Sequence, residues 1–319
     1  MMRPLTRLAP SPTGALHLGN ARTFLANWLL ARQNGWKMLL RIEDLDGPRI
    51  KRAADQQLVE DLRWLGLDWD EGPIYQSNRL EIYQAAVQQL LKDGMAYPCV
   101  CSRKEVELAA SAPHSEDGAT VYPGTCRDKY DSPESALRLG GRAPAIRFHV
   151  RDQSIQFTDR FCGTHRFDVQ RQLGDFVITK ADRTPAYQLA VVVDDAEMNV
   201  TDVIRGDDLL DSTPRQILLY RALGLGASVP TYCHLPLVVG MDGRRLAKRH
   251  GDTRLSAYRE RGVRPERLLA LLARWCGIEC ADQASRPTDL VARFRLEDVP
   301  GNPIIFRPED EAWLMAVPQ

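Results

Sequence analysis

Two stretches of this chain carry residue types suited to polyphosphate chemistry. Near its start, Gly14-Ala15-Leu16-His17-Leu18-Gly19-Asn20 closes a Pro/Gly-rich loop and opens a helical pattern, which puts His17 and backbone amides at a helix N-terminus. Unpaired amides and the peptide dipole favour an anion there, and an imidazole can donate to a phosphate oxygen. Far downstream, Gly240-Met241-Asp242-Gly243-Arg244-Arg245-Leu246-Ala247-Lys248-Arg249-His250-Gly251 is a glycine-flanked basic loop that follows an apolar run. Such a loop can swing ammonium and guanidinium groups over a polyphosphate. Either stretch alone reads more readily as an ordinary helix cap or a solvated basic loop. A third stretch holds Cys99, Cys101 and Cys126 within 28 residues, out of an odd total of seven cysteines. In a reducing compartment three clustered thiols suggest a metal more than disulfides, and with a fourth ligand they would close a tetrahedral zinc site. Three unrelated thiols is the competing reading. Cys162, Cys233, Cys276 and Cys280 read as buried thiols.

The elements around these residues follow from pattern. Arg3 to Ala9 reads as a strand, Leu18 to Gln33 as a helix closed by Gly35, and Trp36 to Ile42 as a buried parallel strand. Ala53 to Leu65 and Arg79 to Leu91 are amphipathic helices. From Cys99 to about Gly174 loops and short strands, such as Ala145 to Val150, suggest an inserted module. Tyr187 to Val193 and Asp202 to Ile204 then read as strands, Thr213 to Leu223 as a helix, Tyr232 to Val239 as a strand, and Arg264 to Gly277 as a helix. Alternating strands and helices imply an α/β, doubly wound sheet. The 319 residues are 44% hydrophobic and 26% charged, which excludes disorder and fibrous repeats, and 42 basic against 42 acidic residues leave no global nucleic-acid signal. With no signal-type or membrane-spanning apolar run, the expectation is a cytoplasmic protein with no membrane partner.

Taken together, His17 to Asn20 and Arg245 to Arg249 resemble the HIGH and KMSKS elements of class I aminoacyl-tRNA synthetases. The resemblance is strongest to glutamyl-type members. It extends over Arg7 to Gly14, Arg41-Ile42-Glu43-Asp44-Leu45-Asp46, Val203-Ile204-Arg205-Gly206-Asp207-Asp208 and Ser212-Thr213-Pro214, in order, along about 250 residues. Glutaminyl members usually begin with PPEPNG where this chain has Ala9 to Gly14, so glutamate is favoured. The resemblance implies a Rossmann-type catalytic domain over 1–98 and 175–240. It further implies an inserted zinc-bearing module over 99–174, a KMSKS-like loop with a helical stem-contact-like segment over 241–319, and no anticodon-binding domain.

By the same resemblance, Arg7, Ala9, Ser11, Glu43, Tyr187 and Arg205 bind L-glutamate, with two guanidiniums for its carboxylates and Glu43 for its ammonium; Arg7 is placed on the side-chain carboxylate. His17, Gly19, Asn20, Arg245, Leu246 and Lys248 bind ATP, and His17, Asn20 and Lys248 act in catalysis. Arg245 stands where the family's first KMSKS lysine is usual and Ala247 where its first serine is. Mg²⁺ accompanies ATP, bound mainly through phosphate oxygens. Structural zinc would sit on Cys99, Cys101, Cys126 and Tyr122, with His114 as the competitor for the fourth place. Only about 70 residues follow Lys248. That length resembles truncated glutamyl-type paralogues, which esterify glutamate onto queuosine at the wobble position of tRNA(Asp). The expected partners are therefore glutamate, ATP and the tRNA(Asp) anticodon stem-loop, for a monomer. Val191 stands where conventional members typically have Asn, in agreement with the paralogue. The alternatives are a minimal conventional synthetase charging tRNA(Glu) and a silent amino-acid-binding paralogue.

Overall fold

A computed structural model describes residues 3–12, 15–45, 53–110, 121–151, 154–246, 251–279 and 286–316. The chain opens with β1 (Leu5–Leu8), α1 (Leu18–Gln33), β2 (Lys37–Ile42), α2 (Ala54–Trp64), β3 (Glu71–Tyr75) and α3 (Leu80–Lys92). Next come β4 (Ala96–Cys99), α4 (Arg103–Ala110), α5 (Pro133–Gly140), β5 (Ala145–Phe148), β6 (Ser154–Asp159), β7 (Gly163–Asp168), α6 (Val169–Gln172) and β8 (Phe176–Thr179). Then α7 (Tyr187–Glu197), β9 (Asp202–Gly206), α8 (Ser212–Ala222) and β10 (Thr231–Leu235) return to the main sheet, and β11 (Val238–Val239) follows in a separate two-stranded ribbon. The chain continues through α9 (Leu255–Glu260), α10 (Pro265–Arg274), α11 (Pro287–Leu290), β12 (Ile304–Ile305) and α12 (Pro308–Met315).

β1, β2 and β3 pair in parallel, as do β9 and β10. Thr201 joins the two groups: its amide donates to the Leu5 carbonyl and its hydroxyl accepts from the Leu5 amide, both at 2.9 Å. The order β3-β2-β1-β9-β10 is that of a doubly wound sheet, whose ligand crevice lies at the carboxyl ends of the strands, where the order reverses between β1 and β9.

The period of two along a strand decides what reaches that crevice. Leu8, Met38, Leu40, Ile42, Ile204, Cys233 and Leu235 face one apolar core, built around α1 and the C-terminal helices. Leu5, Leu39, Val203 and Tyr232 face a second core with α3, α7 and α8. Continuing that second face by two residues gives Arg7, Arg41, Arg205 and His234. Four polar side chains thus arrive on one side of the sheet, near the ends of adjacent strands. The β10 edge is covered by the β6–β7 hairpin, whose Arg160 amide donates to the Tyr232 carbonyl at 2.8 Å. The antiparallel sheet β4-β5-β8 starts at Ala96 and ends at Thr179, so it straddles both expected limits of the inserted module.

One expected strand is a helix. Tyr187 to Val193 begins α7, and Leu189 to Asp195 are all buried. A helix enclosed on every side has no polar stripe, and a run of valines of that length reads equally as a buried strand. Tertiary enclosure between α3 and α8, with the Ala186 carbonyl accepting from the Leu189 and Ala190 amides, decides for the helix. The expected strand over Tyr232 to Val239 is divided after Leu235 by Pro236, which has no amide to donate. Cys162 is exposed at the tip of the β6–β7 hairpin rather than buried, whereas Cys233 and Cys276 are buried; Cys280 lies outside the described residues.

Asp61 on α2 offers a stability test. Its side chain is fully buried, one oxygen accepts from Gln57 at 2.9 Å, the other has no hydrogen-bond partner among the described residues, and Arg259 stands off at 4.0 Å. Burial raises its carboxyl from 3.8 to about 6. A raised acid pKa means the folded state holds the proton longer, so stability is lost as pH rises from about 4 through 6. Asp61→Asn should therefore stabilise the protein by about 1–3 kcal/mol at pH 7.5 and by little at pH 4. Thermal unfolding at both pH values checks this, and equal shifts would contradict it.

Candidate active site

A cavity of about 370 Å³ opens at the carboxyl ends of the central strands. Arg7, Ala9, Ser11, His17, Gly19, Asn20, Glu43, Tyr187, Arg205 and Arg245 all line it, so most of the residues singled out in the sequence meet in one place. Leu246 does not: it is buried in the α1 core. Val191 likewise faces the second apolar core and is not among the cavity walls. Lys248 and His114 lie outside the described residues. Thr23, Phe24, Gln76, Asp208 and Leu237 also line the cavity. Of these only Asp208 carried a sequence signal, as part of the Arg205 to Asp208 run.

At the α1 end of the cavity, His17 is the extended residue at the N-cap of α1, and its ring lies beside Gly19. A Cβ on Gly19 would sit 3.3 Å from two ring atoms, so a larger residue there would push the imidazole by a few tenths of an ångström. Burial, with Arg245 adding to it, lowers the His17 pKa to about 4, so the ring is neutral near pH 7. Its Nδ1 and the Asn20 Oδ1 are buried with no hydrogen-bond partner among the described residues. Arg245 donates to Asp208 at 2.7 Å, which ties the basic loop to the turn after β9. That turn is itself tight, since a Cβ on Gly206 would meet Asp208 Oδ1 at 2.6 Å.

At the other end three guanidiniums and three carboxylates balance. Arg41, fully buried, reaches Asp195 at 2.6 Å, Glu43 at 3.1 Å and Asp194 at 3.7 Å. Arg7 stands 3.5 Å from Asp195, and Arg79 donates to Asp194 at 2.8 Å. Asp194 and Asp195 occupy the last turn of α7, where the helix dipole disfavours anions; these arginines offset that cost. Burial pushes the Glu43 carboxyl above its usual range, against the pull of Arg41 and Arg7.

Arg205 is different. It is only 5% exposed, and among the described residues no carboxylate lies within ion-pair distance of it. Its partners are neutral: His234 Nε2 at 2.9 Å, Thr213 Oγ1 at 2.9 Å, the Leu209 carbonyl at 3.3 Å and the Tyr187 hydroxyl at 3.4 Å. Arg205 is thus a buried cation on the cavity wall whose described partners are all uncharged, which leaves its charge uncompensated there.

Away from the cavity, the Cys99, Cys101 and Cys126 sulfurs lie within 4.8 Å of one another. The Tyr122 hydroxyl is 3.3 Å from Cys99 Sγ and 3.6 Å from Cys101 Sγ, and Cys101 and Cys126 are 3.4 Å apart. A tetrahedron of zinc ligands has edges of roughly 3.5–3.8 Å, so this donor set fits the ion. Burial pushes the Cys101 thiol up to about 11; a bound cation would reverse that by taking the thiolate. Among the described residues, Tyr97, Tyr130 and Ala136 complete a small buried cluster around these four side chains, with Val100 and Val106 packed against it.

The fold is that of a doubly wound α/β enzyme whose cavity lies at the switch point of the strand order. The comparisons agree: residues 5–288 match the family described as tRNA synthetases class I (E and Q), catalytic domain, and the chain belongs to that family of ligases. A "Glutamyl-Q tRNA(Asp) synthetase" of Symbiobacterium thermophilum is 48% identical over 317 residues, which are 97% of each chain. A "Glutamate--tRNA ligase" of Pelobacter propionicus is 41% identical over 97% of this chain and 65% of its own length. Among solved structures, a glutamate tRNA ligase from Elizabethkingia meningosepticum in complex with its amino acid superposes with a TM-score of 0.80. It is 31% identical, over 98% of this chain and 69% of that one. Among the described residues no helix is long and apolar enough to cross a membrane.

Proposed function

We propose that this chain activates L-glutamate with ATP and transfers it to the queuosine base at the wobble position of tRNA(Asp). The observation that carries the amino-acid part is Arg205, the buried guanidinium on the cavity wall without an acidic partner among the described residues. A small dicarboxylate supplies that partner, while Arg7 takes the second carboxylate and Glu43 the ammonium group. The α-carboxylate attacks the α-phosphorus of ATP and pyrophosphate leaves, with Ser11, Ala9 and Tyr187 walling the substrate. His17, Asn20, Gly19, Arg245 and Lys248 face the phosphates, and Mg²⁺ enters with the nucleotide. The acceptor is supported by the end-to-end match to the Symbiobacterium protein at 48% identity, against 41% for the ligase that is matched over 65% of its length. In this reading 99–174 and 241–319 flank the catalytic domain and meet the anticodon stem-loop.

The test of the first step is pyrophosphate exchange into ATP. Exchange should require glutamate and fail with glutamine or aspartate; exchange with aspartate at similar efficiency would overturn the pocket assignment.

In the same reading Cys99, Cys101, Tyr122 and Cys126 hold one structural zinc. The protein purified without chelator should contain about one equivalent of zinc, and Cys126→Ser should lose both the metal and thermal stability. Full stability of the metal-free protein would remove zinc from the fold.

A further inference from the structure

The Arg205 guanidinium does not hold itself in place. His234, its direct neighbour in the β9–β10 register, is fully buried and accepts from Arg205 Nε at 2.9 Å. For Nε2 to accept, the ring proton must sit on Nδ1, and Nδ1 is 2.6 Å from Asp159 Oδ2. Asp159 ends β6, outside the main sheet, and is pinned there by amide hydrogen bonds from Phe161 and Cys162, both at 2.9 Å, and from His234 at 3.1 Å. We propose that Asp159 and His234 form a positioning dyad: Asp159 fixes the Nδ1–H tautomer, and the unprotonated Nε2 aims the Arg205 fork at the substrate carboxylate.

The chemistry favours this over a simple buried ion pair. The dyad keeps the negative charge two groups away from Arg205, so the guanidinium is oriented without being neutralised by a direct contact. A carboxylate in the place of His234 would orient Arg205 just as well but would compete with the ligand. A doubly protonated ring would present a second donor and a second cation to Arg205 and would break the hydrogen bond. Burial, and then the nearby Arg205 charge, lower the His234 pKa despite Asp159, so the neutral ring is the stable one. Asp159 remains ionised: burial works against it, but the hydrogen bond from His234 and the amides of Cys162, His234 and Phe161 hold its carboxyl below the usual range. The arrangement also means that a residue on the hairpin that covers the β10 edge contributes to substrate recognition on β9.

This inference rests on the reading of Arg205 as the carboxylate site, and glutamate-dependent pyrophosphate exchange separates the two. His234→Leu removes the acceptor; it should raise the glutamate KM by roughly 10- to 100-fold, the value of a hydrogen bond to a charged group, while the ATP KM stays within about twofold. His234→Gln, whose amide oxygen can accept from Arg205, should recover most of the wild-type glutamate KM. Asp159→Asn can donate to Nδ1 and favour the other tautomer, so its glutamate KM should rise towards that of His234→Leu. Melting temperatures are measured in parallel. If the wild type exchanges with glutamate and His234→Leu, folded, keeps the wild-type glutamate KM, the dyad has no positioning role. A positioning role is equally excluded if the glutamate and ATP KM values rise together in all three variants, including Gln. A wild type without glutamate-dependent exchange would instead remove the reading of the pocket itself.

Discussion

Arg205→Ala should lower kcat/KM for glutamate by roughly 10²- to 10³-fold or more, with the loss expressed mainly in KM and the ATP KM nearly unchanged. The substrate carboxylate would enter a site from which the buried cation has gone, and breaking such a pair costs about 3–5 kcal/mol, because the remaining charge is left desolvated and alone. Among the described residues Arg205 has no acidic partner to be stranded by the change, so the variant should still fold. Arg205→Lys should rescue poorly. An ammonium has three N–H donors and cannot serve His234, Thr213, the Leu209 carbonyl and Tyr187 while keeping one for the substrate carboxylate, as the five donors of the guanidinium can. Steady-state exchange kinetics over a range of glutamate concentrations measure the effect. An unchanged glutamate KM in Arg205→Ala would exclude it from the pocket.

His17→Ala should act on the other parameter. Its half-buried neutral ring faces the end of the cavity where Asn20 and Arg245 also stand, so its loss should lower kcat for exchange by about 10²- to 10³-fold and leave the glutamate KM within a few-fold. The low pKa gives the role a pH signature. With a folded pKa of about 4, His17 stays neutral across pH 5.5 to 8, so the rate should show no step near 6.5 from this group. For stability the sign is also fixed: the unfolded chain takes up a proton at about 6.5 and the folded chain only near 4. Stability contributed by the neutral ring is thus complete above about 6.5 and is lost as pH falls towards 4. A His17→Ala variant with wild-type kcat would remove the ring from the reaction.

Much of this is legible in the residues themselves. The β1–loop–α1 unit, the strand at Lys37–Ile42 and the helices at Ala54–Trp64, Leu80–Lys92 and Pro265–Arg274 carry clean periodicity and stop signals, and they fold as those signals require. Arg7, Glu43, Tyr187 and Arg205 stand out through family resemblance, and the cavity gathers them. What the pattern conceals has physical causes. α7 is enclosed on all sides, so its valines read equally well as a strand. Asp159 and His234 are 75 residues apart and belong to different sheets, and neither lies in a motif; only the packing of the β6–β7 hairpin on the β10 edge brings them together. Arg41, Asp194 and Asp195 are visible as parts of longer runs, but their function as a closed charge network depends on which strand face they share.

The acceptor is tested most directly by transfer. Labelled glutamate, with ATP and Mg²⁺, is offered to tRNA(Asp) carrying queuosine, to tRNA(Asp) lacking it, and to tRNA(Glu). Label on the first RNA alone is the expected result. Label on tRNA(Glu) would contradict the wobble-base acceptor and make this chain a charging enzyme for that tRNA.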